Sequence, residues 1–152
     1  MSFGNNGSAA VGVIGLGAVG EAVDGPRWLD LTVPLERLPV YVRDDSLLPL
    51  GPEMTYVGER PWEPLEVAVR VSSAVSLRVE GEGASLEAQA RRDGEGVGLD
   101  LAGRALLALR FVSPRATAVE VAGDVSEVRE ERIDGELILS LRLDGRARVS
   151  AR

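Results

Sequence analysis

Residues 65–71 read LEVAVRV, and this stretch decides how the rest of the chain is interpreted. Apolar side chains occupy every second position, and charged or small side chains stand between them. A period of two is typical of a β-strand that buries one face and exposes the other to water. The stretch therefore predicts a half-buried strand, with Leu65 on the buried face and Arg70 on the wet face.

The same alternation returns along the second half of the chain of 152 residues. It is seen at residues 75–79, 97–101, 105–111, 116–118 and 137–143. Turn signals fall between these runs, at Gly81-Glu82-Gly83, Asp93-Gly94, Gly103, Gly123-Asp124, Asp134-Gly135 and Asp144-Gly145. Asp-Gly favours the positive-φ turns that join antiparallel strands. We therefore predict an all-β fold of antiparallel β-sandwiches built from hairpins, in two small packed units.

Two segments do not show a clear period. Residues 84–92 (ASLEAQARR) and 124–132 (DVSEVREER) contain good helix formers, but each is short and follows a glycine-containing turn signal. Propensity alone favours a helix there, whereas the regular spacing of strands and turns around both segments favours a strand. We predict that both are strands.

Composition divides the chain into three parts. Residues 1–19 begin like a tag or linker and continue as a Gly-rich apolar segment. Residues 20–73 hold seven of the eight prolines, which leave no room for a long helix. Residues 74–152 are rich in hairpin signals. We expect residues 20–73 and 74–152 to form two β domains.

Several classes of function are excluded by composition. The sequence has no cysteine and no histidine, which removes thiol nucleophiles, disulfides, the usual zinc ligands and the Ser-His-Asp triad. A net charge of −7 supplies no basic stripe for phosphates, so we expect no nucleic-acid partner. The longest apolar stretch, residues 9–19, is shorter than the ~20 residues of a membrane-spanning helix. We expect a cytoplasmic protein without membrane contact, metal or cofactor.

The Gly15–Gly20 stretch (GLGAVG) matches the dinucleotide fingerprint G-x-G-x-x-G. A nucleotide site would need a helix of about three turns after Gly17, with its N-terminal amides at the pyrophosphate. Gly25-Pro26 would end such a helix early, and no βαβ pattern follows. Nucleotide binding through Gly15, Gly17 and Gly20 is therefore a remote alternative.

The acidic residues and the aromatic residues of the first half are candidates for chemistry. Asp44 and Asp45 separate two short apolar runs, and they favour a turn over a catalytic carboxylate pair or a calcium site. Exposed tryptophan and tyrosine rings can stack on sugars, although core packing is their commoner use. Trp62 and Tyr56, in a loop-like stretch, are the candidate carbohydrate-binding residues.

Residues 20–62 resemble one known family as a unit. The matching residues are Gly20-Glu21, Gly25 to Trp28, Pro34-Leu35, Leu38 to Arg43 (LPVYVR), Ser46 to Gly51 (SLLPLG) and Pro61-Trp62-Glu63-Pro64-Leu65. This stretch is similar to the segment that follows the catalytic barrel in glycoside hydrolase family 31, which contains α-glucosidases and α-xylosidases. The resemblance is specific over residues 20–71, and residues 74–152 match the family's distal domain in pattern alone.

The resemblance implies a chain without its catalytic centre. Both catalytic aspartates of the family lie in the barrel, ahead of this segment, and nothing here matches either motif. Residues 20–73 would then be the proximal and 74–152 the distal C-terminal domain, which buttress the barrel. We expect no catalytic residue in this chain and a structural role against a barrel supplied elsewhere. The alternative is an independent β-sandwich module that binds carbohydrate or protein.

Exposed apolar residues are expected if the barrel is absent. The most apolar side chains of the first domain are Leu35, Leu38, Val40, Val42, Leu47 and Leu48. One short pair of strands cannot bury all of them, and large exposed apolar patches drive association. We therefore expect either self-association through this part or a tightly bound barrel chain.

Overall fold

The computed structural model describes residues 10–15, 18–24, 41–52, 54–56, 58–81, 83–113, 116–133 and 135–152. These residues form ten strands and contain no helix, which confirms the predicted all-β fold. The chain divides into two compact units, Met1–Asp44 and Asp45–Arg152. Residues 84–92 and 124–132 lie in strands, as predicted.

The first unit contains a three-stranded antiparallel sheet. Its strands are β1 (Ala10–Gly15), β2 (Ala18–Asp24) and β3 (Tyr41–Arg43), in the order β2-β1-β3. β1 and β2 are consecutive antiparallel strands, so the Gly-rich segment runs as two strands. The nucleotide-binding interpretation required a helix after Gly17 and is therefore wrong.

The second unit is built on one larger sheet. Its strands are β4 (Ser46–Leu50), β5 (Leu65–Arg70), β6 (Ala74–Gly81), β7 (Ala84–Asp93), β8 (Gly96–Ser113), β9 (Val119–Ile133) and β10 (Glu136–Ala151). The main path runs β4-β5-β8-β10-β9, and the β6-β7 pair joins it through β8. β4 and β5 thus share a sheet with β6–β10, and the predicted division at residue 73 stays a prediction.

β8 is the central strand of this sheet. One edge of β8 pairs with β10 along its length, from Val97 opposite Ala151 to Phe111 opposite Leu137. The other edge is shared, because β7 pairs antiparallel with its first half and β5 pairs parallel with its second half. The sheet is therefore mixed. The described strands of this unit belong to one sheet, so the predicted sandwich is not confirmed.

The hydrophobic core lies on one face of this sheet. Odd-numbered side chains of β8 and β10 point into it, and Leu107, Leu139 and Leu141 are completely buried. β5 contributes Leu65, Val67 and Val69, and β7 contributes Leu86, Ala88 and Ala90. Full burial of one leucine is worth about 1.5–3 kcal/mol. The alternation in the sequence thus identifies the face that stabilises the unit.

Three glycines stand inside the long strands, at neighbouring positions of the sheet. Gly103 in β8 lies opposite Gly145 in β10, and Gly123 lies nearby in β9. Their φ angles are +135°, +146° and +119°, in the region that favours glycine. A Cβ at Gly103 would collide with the backbone carbonyl of Ser85. The glycines therefore permit close approach of backbones within continuous strands.

The predicted turns at Gly103, Gly123-Asp124 and Asp144-Gly145 are consequently wrong. Glycine next to aspartate marks positive φ, but positive φ also serves a bulge inside a strand. Here Asp124 stabilises such a bulge, because its Oδ2 accepts a hydrogen bond from the backbone N–H of Arg146 at 3.0 Å. The strands are therefore 15–18 residues long, instead of the short strands that the turn signals suggest.

Candidate functional site

Trp62, a predicted sugar-binding residue, lies in the segment between β4 and β5. The residue is 37% exposed, and its indole ring rests on Gly51. A Cβ at Gly51 would lie 3.2 Å from Cζ2 and 3.3 Å from Cε2 of the indole. The ring is therefore held against the backbone on one side, with part of its surface in solvent.

Tyr56 is the most exposed large apolar residue among those described, at 68%. It sits in a turn that Glu59 closes. Glu59 Oε2 accepts hydrogen bonds from the Thr55 N–H at 2.6 Å and the Thr55 hydroxyl at 2.7 Å. The Glu59 N–H donates to the Tyr56 carbonyl at 3.3 Å. The bonds from Thr55, the backbone one first, hold the pKa of the Glu59 carboxyl below its usual range.

The arrangement of this segment suits contact better than catalysis. A phenol and an indole with exposed ring surface offer apolar faces for stacking and polar edges for hydrogen bonding. Both side chains belong to the 54–62 stretch, which joins two strands of the sheet. Within the described parts of the chain, no group of three or more acidic side chains is placed to hold a metal ion.

The Asp45 side chain has a structural role. Its Oδ1 accepts hydrogen bonds from the backbone N–H groups of Ser72 and Ser73, at 2.9 and 2.7 Å. These bonds tie the start of β4 to the segment between β5 and β6. The positive φ of Asp45, +55°, is one that aspartate tolerates. The carboxylate is therefore occupied by the local fold, as the interpretation of Asp44-Asp45 as a turn predicts.

A half-buried ionic cluster on the second face of the sheet was missed by the sequence analysis. Arg110 Nη2 lies 2.8 Å from Glu66 Oε1, and Arg110 Nε lies 3.9 Å from Glu136 Oε2. Arg70, predicted on a wet face, is only 7% exposed, and its neighbour Ala68 is buried as well. Arg70 was misplaced because alternation identifies the more apolar face and says nothing about what covers the other.

The expected apolar patch in residues 35–48 is not exposed where the structure describes it. Val42 and Leu47 are buried, and Leu48 is half-buried. Leu35, Leu38 and Val40 lie outside the described residues. The exposed large apolar side chains among those described are instead Tyr56, Trp62, Val128 and Ile133.

The described residues contain no helix that is long and apolar enough to cross a membrane. No family model and no curated protein matches the sequence.

Solved structures do match the fold. One is the glycoside hydrolase family 31 dextranase of Flavobacterium johnsoniae, in complex with glucose, with a TM-score of 0.73 and 15% identity. The match covers 93% of this chain and 23% of the dextranase chain. Another is the α-1,4-glucan lyase of Gracilariopsis lemaneiformis, as a covalent intermediate complex with 5-fluoro-idosyl fluoride. Its TM-score is 0.67 at 14% identity, over 95% of this chain and 20% of the lyase chain.

Nearly all of this chain thus corresponds to a minor part of each of these two proteins. The prediction from residues 20–71 was made from sequence motifs, whereas the match is one of backbone shape. Both indicate a fold that is found in glycoside hydrolase family 31. The resemblance to part of a glycoside hydrolase family 31 protein is therefore confirmed at the level of the fold.

Proposed function

We propose that this chain is the non-catalytic C-terminal β region of a family 31 α-glycosidase and packs against a catalytic barrel outside this sequence. The observation that carries the proposal is the coverage of the structural match. At least 93% of this chain matches no more than 23% of the enzyme chains. A β region of this kind supports the barrel and adds no reacting group of its own.

The chemistry of the chain is consistent with a supporting role. Histidine and cysteine are absent from the sequence, so acid–base and nucleophilic catalysis would depend on carboxylates, tyrosine, serine, threonine or arginine. Asp45, Glu59 and Glu66 are each engaged by the local fold, through backbone N–H groups or an arginine. Each of these carboxylates therefore binds a partner within the chain, whereas a catalytic pair of carboxylates would need to face a substrate.

Activity and association test this proposal together. The isolated chain is expected not to cleave aryl α-glucosides or α-xylosides. Turnover that is lost in Asp44→Asn or Asp45→Asn would contradict the proposal.

The second arm of the test identifies the barrel. A reading frame for a family 31 barrel, beside this coding sequence or joined to it, should yield a barrel that co-purifies with the chain at equal stoichiometry. The barrel should also melt at a higher temperature when the chain is bound. A barrel that folds and works equally well without the chain would refute the supporting role.

A second candidate function is carbohydrate contact through Tyr56 and Trp62, and the exposure of both rings favours it. Calorimetric titration with glucose and dextran is the direct measurement. Tyr56→Ala and Trp62→Ala should each weaken binding, whereas Ile133→Ala, which removes an exposed side chain on β9, should not. Absence of heat with both sugars and of signal on a glycan array would exclude this function.

A further inference from the structure

The free edge of β9 is an unexplained feature of the second unit. β9 runs from Val119 to Ile133 and pairs with β10 along one side. No described strand pairs with its other side. An unpaired edge of this length presents a row of backbone N–H and C=O groups to a further strand. Such an edge selects a partner through the side chains that flank it.

The second half of β9 has the side chains of an interface. Val128 and Ile133 are two of the four large apolar residues that are exposed among the described residues. Both lie in residues 126–133, the second half of β9. Arg129 and Glu131 stand between them, exposed, and neither makes an ion pair within the described residues. By contrast, Glu127 is paired with Arg142 at 2.9 Å.

Arg129 and Glu131 lie on the same side of the sheet. Arg129 pairs with Ser140 of β10 and Glu131 pairs with Ile138, so both residues belong to the even-numbered face of β10. They are two residues apart. An antiparallel strand that brought the same sequence alongside, centred on Glu130, would place each arginine directly opposite a glutamate.

We propose that a second copy of this chain binds there, by antiparallel pairing of β9 with β9 around Glu130. In this arrangement Arg129 of one copy faces Glu131 of the other, and the contact occurs twice by symmetry. The twofold axis passes between the two Glu130 residues. The result is a sheet that continues from one copy into the next.

Other registers are less favourable. Residues that lie directly opposite each other in an antiparallel pair are on the same face of the sheet. The twofold axis of a β9–β9 pair must therefore pass between one residue and its own copy, and that residue is the centre of the register. A centre at Arg129 would put two arginines together and Glu127 against Glu131. A centre at Glu131 would need Arg132, whose Nη2 already donates to the Thr117 carbonyl at 2.6 Å. A centre at Glu130 pairs Arg129 with Glu131 twice, using charges that no described ion pair engages, and brings one like-charge pair, Glu130 with Glu130, together on the axis. Two opposite-charge contacts against one like-charge contact make it the most favourable of these three centres.

The mixture of charges also distinguishes this edge from one that is merely protected. Charged side chains on an edge strand commonly prevent indiscriminate pairing. Charges of one sign repel every further copy of the same strand, whereas Arg129 and Glu131 attract each other in the register centred on Glu130.

Sedimentation velocity of the full chain over a wide concentration range provides the test. The unmodified chain should show a reversible monomer–dimer equilibrium. Arg129→Glu and Glu131→Arg should each weaken the dimer by tenfold or more, since each creates two like-charge contacts. The double variant R129E/E131R should restore the dimer.

A mixture of the two single variants is the sharpest experiment. Copy one then presents two glutamates and copy two presents two arginines, so the mixture should form a heterodimer although neither variant dimerises alone. Arg148→Glu, at an exposed position of β10, is the matched control and should leave the dimer unchanged. A monomeric unmodified chain at its highest soluble concentration, or a mixture that stays monomeric, would overturn the proposal.

Discussion

The β8–β10 ladder and the 51–64 segment of the same unit are held in place by different means. In the ladder, fifteen consecutive residue pairs run from Val97–Ala151 to Phe111–Leu137, and every second side chain enters the core. In the 51–64 segment, positions depend on single contacts, such as the indole of Trp62 on Gly51 and the Glu59 carboxylate on Thr55. The ladder tolerates little change, whereas the segment can adjust.

Leu139→Ala is expected to show the largest effect. Leu139 is completely buried opposite Leu109, and loss of its side chain should cost about 2–5 kcal/mol of unfolding free energy. Urea denaturation measures this. Tyr56→Ala in the 51–64 segment is the counterpart and should stay within about 0.5 kcal/mol, because its side chain is mostly in water. Equal losses in the two variants would remove the distinction between ladder and segment.

Gly103→Ala is the next largest expected effect. Alanine at φ +135°, with its Cβ against the Ser85 backbone, should cost about 1–3 kcal/mol. Gly98→Ala on the same strand is the matched control, because a Cβ there meets no atom within 4 Å and the φ is ordinary. Its unfolding free energy should change by less than about 1 kcal/mol in either direction. If the two variants are equally stable, Gly103 is not a constrained position.

The same contrast explains what could be predicted from sequence. The burial of Leu139 could be predicted from alternation, because every second side chain of a strand points to the same face and the more apolar face packs into the core. The pairing of β5 with β8 could not be predicted, because parallel neighbours are distant in sequence and leave no turn between them. Gly103 was read as a turn because glycine marks a backbone angle and not the element that uses it.

Less of the candidate site than of the fold could be predicted from the sequence. Trp62 and Tyr56 were selected as loop aromatics, and the structure places both with exposed surface. The contact of Trp62 with Gly51 was not predicted, because no periodic pattern links two residues in irregular structure. The burial of Arg70 was missed for a similar reason, since whatever covers the second face of β5 leaves no mark in the strand itself.

Gly51→Ala should give a small change in stability and a clear change in conformation. The added methyl group would lie 3.2 Å from the indole of Trp62, which is partly in solvent and can move by a few tenths of an ångström. We expect less than about 1 kcal/mol in unfolding free energy and a shift of the Trp62 indole N–H resonance in NMR spectra. A cost as large as that of Gly103→Ala would show that this segment is as rigid as the ladder.

The smallest expected effect concerns the turn that presents Tyr56. The Thr55 hydrogen bonds lower the pKa of the Glu59 carboxyl in the folded chain, the backbone bond most. A group with a lowered folded pKa contributes stability above its unfolded pKa and loses it as the pH falls through the folded pKa. The turn should therefore be ordered at neutral pH and loosen in acid.

NMR titration of the Glu59 carboxyl should give a midpoint below that of an ordinary glutamate. Thr55→Val removes the hydroxyl donor at 2.7 Å and keeps the backbone donor at 2.6 Å. Its midpoint should therefore rise part of the way toward the ordinary value. Thr117→Val, at a hydroxyl that donates to the Arg152 carbonyl instead, is the control and should leave the Glu59 midpoint where it is. If Glu59 titrates normally in the unmodified chain, the carboxylate does not close the turn, and the exposure of Tyr56 needs another explanation.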